Sequence, residues 1–293
     1  MNNIQIPCIV ESGLNTCYIT SLFIALFYKY NEYIYLILED EPKKPEGFYL
    51  QELIKIKFIE PIKRNYSISF NIINEIRNYA VICGWSNNQN ISEQKDCSEF
   101  YNFLADLFNI SPIEFEIIEI KDNVITNNIK KKKLSFIKLN LCQDDNIKNL
   151  LSKWINSTVK TMNISHNPYS TIINCYKLNN IPQFVILNIN RFDNSGKRTN
   201  YKLDIMKRIK FFEINDISQK YLKWKIHSII CHNGNTYKSG HYYSIISLCK
   251  KKWLLFDDML IPSFQQIDLE NDSIKEKIMV ESVILIYTLE TIN

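Results

Sequence analysis

The sequence predicts an α+β fold, helical in its N-terminal half and an antiparallel sheet in its C-terminal half. Three observations carry that expectation. Apolar residues recur at helical spacing in the segments that begin at Cys17 and Asp96. From Phe184 onward, short apolar and β-branched runs are separated by turn residues. The helical segments come first and the strands afterwards, which excludes a doubly wound parallel sheet.

Each element follows from its residues. Cys17 to Tyr30 carries Ser21, Leu22, Ala25 and Leu26 at helical spacing on an almost wholly apolar surface. A helix apolar all round belongs in the middle of the domain. Asn15 and Thr16 stand where they can cap it. Asp96 to Asn109 reads as a second helix, with Phe100, Phe103, Leu104 and Leu107 on one face, and Asn146 to Trp154 as a shorter third. Phe184 to Phe192 reads as a strand running into the turn Asp193-Asn194-Ser195-Gly196. Leu222 to Cys231, His241 to Leu248 and Trp253 to Phe256 are further strands, and Ser282 to Leu289 closes the sheet. Cys249 to Lys252 reads as a hairpin turn. The polar tracts Asn87 to Asn90 and Asp122 to Lys133 read as loops, the basic run Lys130 to Lys133 among them.

Composition narrows the function classes. The chain has 293 residues, enough for one large domain or two small ones, and is 46% hydrophobic and 23% charged, as in an ordinary globular protein. A net charge of +4 is small for this length, and no aromatic platform is interleaved with Lys130 to Lys133. No nucleic-acid partner is therefore expected. The longest apolar run, Tyr18 to Tyr28, is about half of the ~20 residues that span a bilayer, so no membrane association is expected. Met1 to Ser12 lacks the basic start and apolar stretch of a signal peptide. None of the eight cysteines is spaced as C-x-x-C, so no metal site is expected. They read as free thiols of a reducing compartment, cytoplasm or nucleus.

One cysteine has surroundings that suit chemistry. Cys17 opens the apolar helix, where unpaired N–H groups and the helix dipole favour a thiolate, the nucleophilic form. A thiolate needs a base, and there are four histidines. His166 lies in a polar segment and reads as a surface residue. His227 sits inside a strand as a packing residue, and His232 opens the loop His232-Asn233-Gly234. His241 follows Gly240 at the start of a strand, where it can point into a cleft while the strand holds it. Gly13, Gly234 and Gly240 are half of the six glycines, and they flank the segments that lead to Cys17 and His241. Folding the hairpin brings Asp257 back to within a residue or two of His241, where a carboxylate can orient the imidazole. Asp258 is expected to point the other way and to support the oxyanion or the loop. Periodicity leaves the choice between the two aspartates open.

Five segments then fall into one pattern. Gly13-Leu14-Asn15-Thr16-Cys17-Tyr18 resembles the cysteine box of ubiquitin-specific proteases, and Gln94-Lys95-Asp96-Cys97-Ser98-Glu99-Phe100 resembles their Q-x-D-A-x-E-F segment. Ile181-Pro182-Gln183-Phe184 running to Asn190-Arg191-Phe192-Asp193 is similar to their L-P-x-x-L…K-R-F strand. His232-Asn233-Gly234…Gly240-His241-Tyr242 and Trp253-Leu254-Leu255-Phe256-Asp257-Asp258 are similar to the H-x-G…G-H-Y and W-x-x-F-D-D boxes. All five occur in the family's order.

The resemblance implies a papain-like fold of thumb, palm and fingers in a single catalytic domain over residues 1–293. Residues 1–110 would be the thumb, 111–180 reduced fingers and 181–293 the palm. It implies a thiol-dependent deubiquitinase that acts as a monomer on ubiquitin or ubiquitinated proteins, cleaving after the C-terminal Gly-Gly and needing no cofactor. Carried over by position, Cys17 is the nucleophile, His241 the base and Asp257 its orienting group. Asp96 and Glu99 engage the basic ubiquitin tail, and Phe192 and Tyr242 line its channel. The family's asparagine five residues before the cysteine, an oxyanion donor, is replaced here by Ser12. Two other readings share these motifs: an inactive ubiquitin-binding module, and a protease for another ubiquitin-like modifier.

Overall fold

The computed structural model describes residues 10–28, 36–86, 94–121, 124–161, 170–210, 223–236, 239–249 and 252–290. The tract Asn87 to Asn90, His166, and Lys250 and Lys251 of the expected hairpin turn lie outside the described residues.

The first helix, α1 (Cys17–Phe27), is buried along its whole length. Tyr28 caps its end through a backbone bond to Ile24, and Tyr30, the expected end of the helix, lies outside the described residues. Thr16 is its N-cap residue but caps nothing with its side chain; its hydroxyl instead accepts from the Gly13 N–H at 3.1 Å. Asn15 turns the chain into the helix at φ +53°. Helix α2 (Pro45–Leu53) runs through a π-helical stretch, Ile54–Ile59, into α3 (Glu60–Lys63). Helix α4 (Phe70–Ile82) follows, and then α5 (Cys97–Leu107). Asp96 caps α5 by accepting from the N–H groups of Ser98 and Glu99, which satisfies two orphan donors of the first turn.

Beyond α5 the chain turns to strands. β1 (Ile113–Lys121), β2 (Val124–Leu134), β5 (Asn156–Thr161) and β6 (Ser170–Leu178) make an antiparallel sheet in the order β2-β1-β6-β5. β3 (Ile137–Asn140), β4 (Asp145–Asn146) and helix α6 (Ile147–Ile155) lie between β2 and β5 in the chain. Over Val124 to Lys133 this corrects the loop expected for Asp122 to Lys133, of which Asp122 and Asn123 lie outside the described residues. The segment has too few apolar residues to alternate, but β1 offers a complementary edge. Lys131 pairs with Glu116 and Lys133 with Glu114, and Lys133 Nζ lies 2.7 Å from the Glu114 carboxylate.

The remaining strands build the sheet that carries the site. They are β7 (Phe184–Asn190), β8 (Leu203–Asp204), β9 (Arg208–Ile209), β10 (Trp224–Thr236), β11 (Ser239–Cys249), β12 (Lys252–Phe256), β13 (Phe264–Ile267) and β14 (Ser282–Leu289), with α7 (Asp272–Glu281) before the last. The order is β13-β12-β11-β10-β14-β7-β3, with β9 added beside β10. All pairings are antiparallel except β3 with β7. β4 and β8 form a separate parallel pair.

Both faces of this sheet are covered. Ile230, Ile246, Leu254, Ile284 and Ile286 pack on one face against α1 and the other N-terminal helices. Ile229, Ile245, Trp253, Leu285 and Tyr287 alternate with them and fill a second core on the opposite face. That is why β14 is apolar almost without a break. No helix among the described residues is long and apolar enough to cross a membrane.

Candidate active site

α1 lies against β11 and β10, and the Ser228 hydroxyl of β10 donates to the Ala25 carbonyl at 2.7 Å. This packing sets the first residue of α1, Cys17, beside the start of β11, where His241 stands. Cys17 is 7% exposed, and the His241 side chain 20%. The Cys17 side chain and the Asp257 carboxylate both act on the His241 ring. Its Nε2 is 2.8 Å from Asp257 Oδ1, which leaves Nδ1 as the ring nitrogen available to the sulfur.

Register explains how Asp257 gets there. β11 pairs with β12 so that Ser244 faces Phe256, and the chain turns directly after Phe256. Asp257 closes that turn by accepting the Met259 N–H at 2.9 Å on the same Oδ1 that meets the imidazole. The carboxylate is thus fixed by its own turn before it touches His241.

Electrostatics follow from these contacts. Burial lowers the His241 pKa, but the hydrogen bonds and charges of Asp257 and Cys17 outweigh it and raise the value to about 10. Burial pushes the Asp257 carboxyl up, while the bonds to His241 and the Met259 N–H hold it below the ordinary range. The structure therefore favours an imidazolium beside the Asp257 carboxylate.

Asp258 does not point away, as alternation along a strand suggested. The chain has left β12 by this point, and the carboxylate turns inward to the same side as Asp257. Its Oδ1 is 3.7 Å from His241 Nε2, and its Oδ2 accepts the Thr20 hydroxyl of α1 at 2.9 Å. Burial pushes its pKa up, against the Thr20 bond. His241, Asp257 and Asp258 are also the one group of potential metal ligands among the described residues. A 2.8 Å hydrogen bond already joins the first two.

His232 also departs from expectation. It does not open a loop, because β10 continues to Thr236; it lies inside the strand, 1% exposed, opposite Tyr242. Burial, with Arg198 nearby, lowers its pKa to about 4. It packs against the Phe192 and Tyr242 rings at centroid distances of 6.0 and 4.6 Å. His227 is buried in β10, as its strand position suggested.

The four residues assigned to the ubiquitin tail share one cleft. Asp96, Glu99, Phe192 and Tyr242 line a hollow of about 310 Å³ together with Lys138 and Asn190. Burial and the adjacent Asp96 push the Glu99 carboxyl up. Ser12 is exposed in the segment before α1. Gln94 has no role by sequence beyond its place in the Gln94 to Phe100 segment, yet its amide nitrogen lies 3.9 Å from Cys17 Sγ. Only a tertiary contact reveals that.

The sequence profile of the family described as Ubiquitin carboxyl-terminal hydrolase matches residues 10–287. The chain belongs to the ubiquitin carboxyl-terminal hydrolase family. The hydrolase shares its fold with solved structures. One is the SAGA DUB module Ubp8/Sgf11/Sus1/Sgf73 bound to monoubiquitin. It superposes at TM-score 0.69 and 16% identity, over 99% of this chain and 70% of that one. Another is that module bound to ubiquitin aldehyde, at TM-score 0.68 and 15% identity, over 99% and 72%. No curated protein sequence matches the chain. The family match makes this hydrolase a cysteine-type deubiquitinase, and its α+β fold is the papain-like one that the motifs implied.

Proposed function

We propose that this hydrolase removes ubiquitin from conjugates through Cys17, His241 and Asp257, with the ubiquitin tail lying along Asp96, Glu99, Phe192 and Tyr242. The observation that carries the proposal is the imidazole of His241, hydrogen-bonded to the Asp257 carboxylate at 2.8 Å and acted on by the Cys17 side chain. The Cys17 thiolate adds to the carbonyl carbon of the terminal glycine, and the carbonyl electron pair moves onto oxygen. When that pair returns, the C–N bond breaks and the His241 imidazolium protonates the departing lysine amine. Water, losing a proton to the now neutral ring, then attacks the thioester and releases ubiquitin. Asp257 holds the ring in position and stabilises its charged form.

The cleft supports the choice of substrate. Phe192 and Tyr242 line the cleft, and a channel narrow enough for only two glycines there would exclude larger residues. Asp96 and Glu99 offer negative charge to a basic tail. Residues 1–110, 111–180 and 181–293 would serve as thumb, reduced fingers and palm. The free thiols of Cys17, Cys83, Cys97 and Cys231 suit a reducing compartment, cytoplasm or nucleus. The test is reaction with an electrophile placed at the carboxyl terminus of ubiquitin. The parent protein should form one covalent adduct, and Cys17→Ala should form none while still binding ubiquitin. An adduct retained in Cys17→Ala rules out the nucleophile.

A further inference from the structure

Gln94 lies outside the three residues of the proposed mechanism but reaches their sulfur. Its Nε2 is 3.9 Å from Cys17 Sγ and donates to the Gly240 carbonyl at 2.6 Å. The second contact fixes which way the amide faces, since an amide oxygen at that position would oppose a carbonyl oxygen. One N–H is thus committed to Gly240, and the other remains on the side of the sulfur. The amide oxygen, Oε1, is buried and has no hydrogen-bond partner among the described residues.

The reacting geometry gives the second N–H a role. When the sulfur bonds to the carbonyl carbon, negative charge gathers on an oxygen within about 3 Å of that sulfur, and preorganised N–H donors at that point stabilise the intermediate most. Ser12, the position expected to supply such a donor, is exposed ahead of α1. Gln94 is in place instead. Its anchor is rigid, because Gly240 has φ +155° and a Cβ there would meet Asn233 O at 2.6 Å and His232 Nε2 at 2.5 Å. Gly240 also precedes His241, so one amide ties the nucleophile's surroundings to the strand that carries the base.

We propose that Gln94 is a catalytic residue of this hydrolase, donating a side-chain N–H to the oxyanion of the tetrahedral intermediate. This rests on Cys17 being the nucleophile. The test compares the parent, Cys17→Ala, Gln94→Ala and Gln94→Glu on a fluorogenic amide of the ubiquitin carboxyl terminus, with ubiquitin affinity measured separately in the Cys17→Ala background. Gln94→Glu keeps the size of the side chain and removes its donors, so it stands in if Gln94→Ala fails to fold. The expected result is a fall in kcat of roughly 100-fold or more in the Gln94 variants, with KM and ubiquitin affinity held to within about threefold. Turnover near the parental rate in both variants overturns the proposal. So does a loss of ubiquitin affinity as large as the loss of kcat, which would mark a packing role. Turnover in Cys17→Ala would instead overturn the nucleophile, and this inference with it.

Discussion

His232 and His241 stand on paired strands, and their surroundings give them opposite charge states at neutral pH. Burial and Arg198 hold His232 near 4, while Asp257 and Cys17 carry His241 to about 10 against its burial. A raised folded-state value means that charged His241 stabilises the fold fully below its ordinary 6.5 and loses that contribution as pH climbs towards 10. The same shift governs catalysis. kcat/KM should hold on the alkaline side until the imidazolium loses its proton, and Asp257→Asn should move that limb to lower pH by removing the main group that raises it. A limb that stays in place in Asp257→Asn would mean that Asp258, 3.7 Å from the same nitrogen, is the carboxylate that matters. Gly240→Ala belongs at this scale too. The added Cβ collides with Asn233 and His232 and displaces the residue beside His241. A fall in kcat/KM of about 100-fold is expected, with far-UV circular dichroism unchanged.

Among the elements, β14 and α7 meet around a buried guanidinium. Arg191 is 0% exposed and donates to three backbone carbonyls, those of Ser282, Tyr201 and Met279, at 2.5–2.6 Å. It ties the end of β7 to the junction that feeds β14, next to the strands of the site. Arg191→Met fills the space but leaves those carbonyls without a donor. At about 1–3 kcal/mol for each unsatisfied buried group, urea unfolding should report a loss of about 3 kcal/mol or more. A loss under about 1 kcal/mol would show that water takes the place of the guanidinium. β2 is held differently. Lys131 and Lys133 face β1 glutamates at the surface, where such pairs contribute only about 0.2–1 kcal/mol each, so the strand depends on backbone pairing with β1.

At the scale of the molecule, one sheet serves two cores. Alternate residues of β10, β11, β12 and β14 face the helical layer and the opposite layer, so neither core can be lost without exposing the other's strands. Unfolding in urea should therefore be a single transition. Tryptophan fluorescence, from Trp85 beside the first core and Trp224 and Trp253 in the second, should coincide with far-UV circular dichroism. Two separated transitions would show the layers to be independent. The shared sheet also explains why the site is rigid. Cys17 comes from one layer and His241 and Asp257 from the sheet, and the Thr20 bond to Asp258 joins the two.

Sequence alone determined the order of helices before strands, the buried character of α1, and the residue types of the site. Each of these is a local property: periodicity reports which face of an element meets water, and a short motif carries its own chemistry. β1 was not assigned from the sequence, although Ile113, Phe115 and Ile117 alternate with glutamates, and β2 has no such pattern and becomes a strand only because β1 pairs with it. Tertiary structure decided the rest. That Asp257 rather than Asp258 lies at 2.8 Å, that both turn to the same side of the ring, that His232 is sealed between aromatic rings, and that Gln94 reaches the sulfur all depend on how distant segments pack. Side chains far apart in the chain meet through strand register and layer packing, and neither leaves a periodic trace in the sequence.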